Sequence, residues 1–204
     1  MTQSILPERF PDIDDKIYGG FWRRFGAFWL DALITSPWII MLTMINNAGR
    51  MNVFYTIVPS YIFFFFYYIY CVKRWGGTPG KLVCGLKIIN VTGCEVGYKE
   101  PLMRYLVDLI LGFPMSLAMM LLYLEMTDEQ FNSMGFLIRS QWTMDNIASW
   151  HKPFYWLHMV WVYSEFIVLL CNKRKRALHD FVASTVVIKK EYAERAKQWY
   201  EKGA

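Results

Sequence analysis

VFYTIVPSYIFFFFYYIYCV, residues 53–72, runs for twenty positions without a charged side chain. A hydrocarbon core about 30 Å thick is crossed by roughly 20 helical residues, so this stretch has the length and chemistry of a transmembrane helix. The run from Phe63 to Tyr70 is aromatic on every side of such a helix, so part of it faces lipid. Three further windows match it. Residues 25–45 hold one charge, Asp31; residues 102–124 are apolar apart from Arg104 and Asp108; residues 154–171 carry only His158 and Glu165. The spans therefore read as about 22–45, 53–72, 102–124 and 154–171. The apolar content of 55% and aromatic content of 18% exceed what a soluble domain needs, and the four windows account for the excess.

Lysine and arginine orient these spans. With four crossings, the N-terminus, the 73–101 connection and the C-terminus share one side. Counting Arg104, that side carries nineteen of the twenty-two basic residues, leaving only Arg50, Arg139 and Lys152 on the other. The positive-inside rule then places both termini in the cytoplasm, in a plasma (inner) membrane crossed several times. The same bias explains the net charge of +5 without nucleic acid, and the basic side suits anionic lipid headgroups. Cys71, Cys84, Cys94 and Cys171 all fall at the inner leaflet or in the cytoplasm, where thiols stay reduced, so no disulfide is expected. The first twenty residues lack the apolar core of a cleavable signal, so the first span serves as its own insertion signal.

Outside the spans the pattern changes. Residues 1–20, with Pro7, Pro11 and the PDIDD segment, read as a mobile cytoplasmic tail ahead of a domain covering 21–190. After the second span, Gly76, Gly77, Pro79 and Gly80 force a turn. LVCGLKIINV then reads as a strand, Thr92-Gly93 as a turn and CEVGY as a returning strand, with STVVIKK (184–190) as a candidate third. Residues 191–204 form a charged cytoplasmic helix or frayed tail. The loop at 125–152, with Trp142 and Trp150, is expected to lie on the outer membrane surface. The fold class is thus all-α membrane: a four-helix transmembrane bundle with a small cytoplasmic β-hairpin or β-sheet element.

GGTPGK invites a nucleotide-loop reading that fails. Trp75 stands where the first glycine of such a loop belongs, and Leu82 follows Lys81 where a magnesium-binding hydroxyl is needed. Gly77, Thr78, Gly80 and Lys81 instead read as a linker turn that locks the β element to the membrane surface. His179 beside Asp180 has the look of half a catalytic dyad, but no nucleophile motif or metal-ligand set accompanies it. Enzyme chemistry, a metal site and a cofactor are not expected.

The charged residues inside the spans are the candidate site, because a carboxylate there costs roughly 2.5–3.5 kcal/mol on insertion scales unless paired or hydrated. Arg24 and Asp31, seven residues apart, share one helix face about 10 Å apart, too far for a simple intrahelical salt bridge. Arg104 and Asp108 share a face at spacing four, and their pairing would lower the cost of both. His158 and Glu165 share a face of the fourth span, Glu165 at a depth similar to that of Asp31. Asp180, beyond the basic run NKRKR, is placed to accept hydrogen bonds from Arg24 or Arg104. One reading is a polar seam for protons or cations running through His158, Glu165, Asp31 and Asp108, with Arg24 and Arg104 at its inner mouth. The other is a structural ion-pair network that holds the helices in register.

Three blocks together resemble the RDD family of small membrane proteins, named for one arginine and two aspartates. RRFGAFWLD supplies Arg24 and Asp31, RKRALHDFVASTVVI supplies Asp180, and GGTPGKLVCGLKIINVTG resembles the family's linker. The likeness runs over roughly residues 18–190. It implies a membrane-embedded protein with one of two roles: cation–proton exchange, proposed for some relatives, or an accessory or assembly subunit of a membrane complex. Four short helices are few for a complete permeation path, so transport requires a homo-oligomer. An accessory role requires other membrane proteins as partners.

Overall fold

The computed structural model describes residues 5–203. Its long helices stand where the apolar windows lie: α1 (Phe21–Asn47), α2 (Asn52–Phe65), α5 (Lys99–Glu125) and α8 (Lys152–Cys171). Between α2 and α5 come a π-helical turn (Phe66–Tyr70), α3 (Cys71–Trp75), α4 (Pro79–Val83) and strand β1 (Leu86–Asn90). The long loop folds into α6 (Asp128–Ser133) and α7 (Phe136–Asn146), and the chain closes with α9 (Leu178–Val182), β2 (Thr185–Lys189) and α10 (Ala193–Gly203). Among the described residues, four helical stretches are long and apolar enough to cross a membrane: Phe21–Asn47, Asn52–Val83, Lys99–Glu125 and Ser149–Cys171. Only 6% to 17% of their apolar windows is buried within the protein, so lipid must solvate most of that surface. This is an all-α membrane architecture with a small sheet.

Two compact units divide the chain. Met1–Ile34, Phe65–Leu106 and Val162–Ala204 form the first; Thr35–Phe64 and Val107–Trp161 form the second.

The first unit is organised on β2. Strand β1 pairs with it antiparallel, Ile88 opposite Val187 and Ile89 opposite Val186. Along the other edge of β2, Lys189 N–H donates to Ile17 O and Gly19 N–H to Val187 O, both at 2.9 Å. Alternation along the strands splits their apolar side chains between two cores. Leu86, Ile88 and Val187 pack with Ala27 of α1, Val72 and Val96. Ile89, Val186 and Ile188 pack with Leu6, Phe10, Ile17, Tyr18 and Ala196.

Two sequence expectations change here, and one alternative is decided. The CEVGY segment is not a returning strand: Asn90 N–H donates to Cys94 O at 2.9 Å, closing the Thr92-Gly93 turn, and the chain then enters α5. The partner of β1 is instead the distant STVVIKK segment. Its run of β-branched residues fits a pleated sheet better than a pentapeptide containing glycine. Nor is the N-terminal segment loose from residue 5 onward, since Leu6, Phe10 and Ile17 seal one face of the sheet. The C-terminal segment is helical, and α10 lays Ala196 and Trp199 on the same core. These segments are rich in charge, but each carries apolar residues that join the core on that face of the sheet.

In the second unit, Trp38 of α1 stacks on Phe63 of α2 with ring centroids 4.7 Å apart. Ala118 and Leu122 of α5 form a small core with Ile147, against which Trp142 packs. Arg50 in the α1–α2 turn donates to Asp128 at 2.6 Å and to Tyr123 O at 3.1 Å, fastening α6 to the end of α5.

Candidate functional site

Asp31 projects from α1 with 5% of its surface exposed. Three donors from downstream segments reach its carboxylate. The Tyr67 hydroxyl donates to Oδ1 at 2.6 Å, Gly80 N–H donates to Oδ1 at 2.7 Å, and the Thr78 hydroxyl donates to Oδ2 at 2.6 Å. Lys81 Nζ stands 3.8 Å from Oδ2 and donates to Thr78 Oγ1 at 3.4 Å.

The local fold explains each contact. Tyr67 lies in the π-helical turn, whose extra residue per turn re-aims the side chains that follow. Gly76 ends α3 in the left-handed conformation, with φ +78°, and turns the chain back towards α1. Thr78 then occupies the N-cap of α4 and Pro79 its first turn. The Thr78 side chain makes no cap bond to its own helix. Asp31 takes over that task, accepting the otherwise orphaned Gly80 N–H from across the fold. Only glycine fits there: a Cβ on residue 80 would lie 2.5 Å from Ala27 O and 2.7 Å from Asp31 N.

A second carboxylate, Asp180 in α9, has no exposed surface. Arg24 Nη1 donates to its Oδ2 at 2.7 Å and Arg104 Nη1 pairs with its Oδ1. The side chains of Arg24 and Arg104 are themselves only 8% and 9% exposed. Ala177 N–H donates to Oδ2 at 3.0 Å, so Asp180 also caps its own helix. The Thr185 hydroxyl, at the start of β2, accepts from Arg104 at 2.6 Å and donates to Asp180 Oδ1 at 3.3 Å. Arg176 closes the group through the backbone, donating to Asp180 O at 2.9 Å and Thr185 O at 3.1 Å. Burial works against the charge of Asp180, but the guanidiniums of Arg104 and Arg24 outweigh it. They hold this carboxyl well below its ordinary range.

The remaining candidates form smaller pairs. Glu165 of α8 accepts from His179 N–H at 2.9 Å and pairs with His179 Nδ1, fastening the start of α9. Within the second unit, His158 Nε2 lies 3.4 Å from Asp108 Oδ1. The four cysteines are free, and no cluster of three metal-type side chains occurs among the described residues.

The structure therefore gathers Arg24, Arg104 and Asp180 at one centre, and Asp31 with the linker residues Thr78, Gly80 and Lys81 at another. Gly77 is buried in the same turn. Sequence reasoning missed Tyr67, Arg176, His179 and Thr185 as partners. Tyr67 was hidden in an all-aromatic run, and Thr185 sat in a segment read only for its strand character.

The RDD family model matches residues 18–184. The chain belongs to the RDD family. The arginine and two aspartates that carried the resemblance, Arg24, Asp31 and Asp180, are the side chains on which both centres are built. Among curated relatives, this RDD protein is 31% identical over 103 residues to the uncharacterized membrane protein YteJ of Bacillus subtilis. That match covers 44% of this chain and 63% of the relative, so the chain spans just under two thirds of YteJ. It is 28% identical over 116 residues to the uncharacterized protein YxaI of the same organism, covering 46% of this chain and 77% of the relative. No solved structure matches the chain.

Proposed function

We propose that this RDD protein is a non-transporting accessory or assembly subunit of a membrane protein complex. The observation that carries this reading is the saturation of Asp31 and Asp180. Asp31 is held by three short hydrogen bonds from two other segments, and Asp180 by two buried guanidiniums, a hydroxyl and a backbone N–H. A hydrogen bond to a charged group contributes about 1.5–3 kcal/mol, so releasing either carboxylate to bind a cation or proton costs several such bonds. A carrier needs a carboxylate that changes partners readily. A scaffold needs one that does not.

The protein sits in the plasma membrane with both termini and the sheet in the cytoplasm, as the bias of basic residues requires. Its basic side faces anionic headgroups, and its partners are other membrane proteins or further copies of itself. Proton and sodium flux into proteoliposomes tests the reading, with Asp31→Asn alongside in-membrane crosslinking of the native protein. The expected result is no gradient-driven flux, a crosslinked complex of fixed stoichiometry, and lower abundance of both protein and complex in the variant. Flux that disappears in a well-folded Asp31→Asn protein would establish cation–proton exchange instead.

A further inference from the structure

Helix α7 is built inside out. Its hidden side chains are Arg139 and Thr143, whereas Phe136, Leu137, Ile138 and Met144 stand outward, Leu137 with 78% of its surface exposed. An amphipathic helix bordered by water does the reverse. Phe136, Leu137 and Met144 therefore face something other than water, whereas Ile138 shares the flank of Asp145, seven residues on. Leu137 and Met144 are seven residues apart and share one face, with Phe136 beside them. Asn146, nine residues beyond Leu137, falls on the opposite face, and Gln141 donates to Asp145 at 3.1 Å along the flank between.

Contacts within the second unit set the level of this helix along the spans. Arg139 donates to Phe131 O at 3.3 Å, lies 3.7 Å from the Phe131 ring centroid, and pairs with Asn47, the last residue of α1. Phe131 in turn meets Tyr123, two residues before the end of α5, with ring centroids 6.2 Å apart. Just past the far end of α7, Ile147 packs on Leu122 and Ala118. These lie three and seven residues before the last residue of α5, hence about 5 and 10 Å inside the end of that span at 1.5 Å per residue. The helix thus starts level with the ends of the spans and slopes inward beside α5. That is the depth, about 5–10 Å, at which interfacial helices bury an apolar face.

We infer that α7 is an in-plane membrane anchor, seating Phe136, Leu137 and Met144 among the acyl chains of the leaflet at this end of the spans. Phospholipid is the occupant because α7 is pinned beside two spans whose own surface needs lipid, to α1 through Arg139 and to α5 through Trp142. Asp145 and Asn146 stay on the side of the headgroups and water, and Gln141, four residues past Leu137, borders the apolar stripe and is held to Asp145.

Site-directed spin labelling in lipid nanodiscs tests this. Single cysteines replace Leu137 and Asn146 in the full chain with Cys84, Cys94 and Cys171 changed to Ser, leaving buried Cys71 in place. The expected result is faster relaxation of the label at 137 by oxygen than by a water-soluble nickel chelate, with the order reversed at 146. A label at 137 relaxed mainly by the nickel chelate would place α7 in water and overturn the assignment. A label at 137 closed to both agents would show a protein covering the face, which overturns it as well. Labelling at an outward position keeps the test independent of folding, and near-native melting of the labelled protein confirms that it is.

Discussion

Replacing Asp180 by Asn removes the carboxylate that pairs with both Arg24 and Arg104. The change is nearly isosteric, so it tests charge rather than shape. One amide oxygen can keep one guanidinium, but the amide N–H₂ then faces the other, donor against donor. Both arginine side chains are more than nine-tenths buried, so neither finds water in compensation. Breaking a buried ion pair by removing one partner typically costs about 3–5 kcal/mol. Against a total stability on the order of 5–15 kcal/mol, that is about a fifth or more of what holds the fold. The assay is the melting midpoint of purified protein in lipid nanodiscs, alongside Arg24→Gln and the double variant. The single changes should each lower the midpoint, and the double variant should melt well above the additive expectation. The coupling should be about 0.5–3 kcal/mol, because the second change removes the charge that the first left unpaired. An Asp180→Asn protein that melts like the wild type, or strict additivity, refutes the idea that this cluster holds the unit together.

The same pairing fixes an acid dependence. The Asp180 pKa is depressed on folding, so its contribution is fully present above its ordinary value of 3.8 and is lost as pH falls towards the folded value; as pH drops from 3.8, the wild-type midpoint should fall more steeply than that of Asp180→Asn. Gly80→Ala drives a Cβ to 2.5 Å from Ala27 O and 2.6 Å from Asp31 Oδ1. Backbone cannot yield as a side chain does, so a loss of at least about 1–3 kcal/mol is expected in the same melting assay. Thr78→Val keeps the shape but leaves Asp31 Oδ2 without its 2.6 Å donor, for a loss of about 1–3 kcal/mol. Thr78→Ser should retain that stability, and equal melting of the two variants would show that the hydroxyl does not matter.

The spans were legible because a lipid solvent imposes a coarse rule, twenty apolar residues, that a sequence either meets or does not. The meeting of Arg24 and Asp180 was legible from residue type and position, since buried charges seek partners. Strand pairing was not. Cys94–Tyr98 follows at hairpin distance, whereas Thr185–Lys189 has the stronger β-branched run, so proximity and propensity point to different partners for Leu86–Asn90. The nearer segment wins on loop closure, but the distant one wins on burial: Val186, Val187 and Ile188 are fully buried on the two faces of the sheet. The donors to Asp31 were illegible for a different reason. Tyr67 reaches it only because the helix widens to a π turn at Phe66–Tyr70, a backbone irregularity with no residue signature in a run of aromatics.

The sheet itself explains why two charged anchors sit seven residues apart on α1. Strands β1 and β2 are separated by 94 residues, including two long helices, so no hairpin turn sets their register. Closing a flexible loop of that length costs about 3 kcal/mol more than closing a two-residue turn. Each strand is instead delivered by a short segment bonded to α1. Thr78 and Gly80, just ahead of β1, close on Asp31, while Asp180, just ahead of β2, closes on Arg24. Two helical turns separate the two anchor points along one face, about 10 Å. Ile17–Gly19, just ahead of this helix, bond the other edge of β2. A clamp worth about 3–5 kcal/mol is of the size needed to offset the closure cost. Helix α1 is therefore the template on which the strands are registered, and its arginine and aspartate act as two pegs of one jig. A jig of this kind has to stay closed to do its work, which is the property on which the proposed assembly role rests.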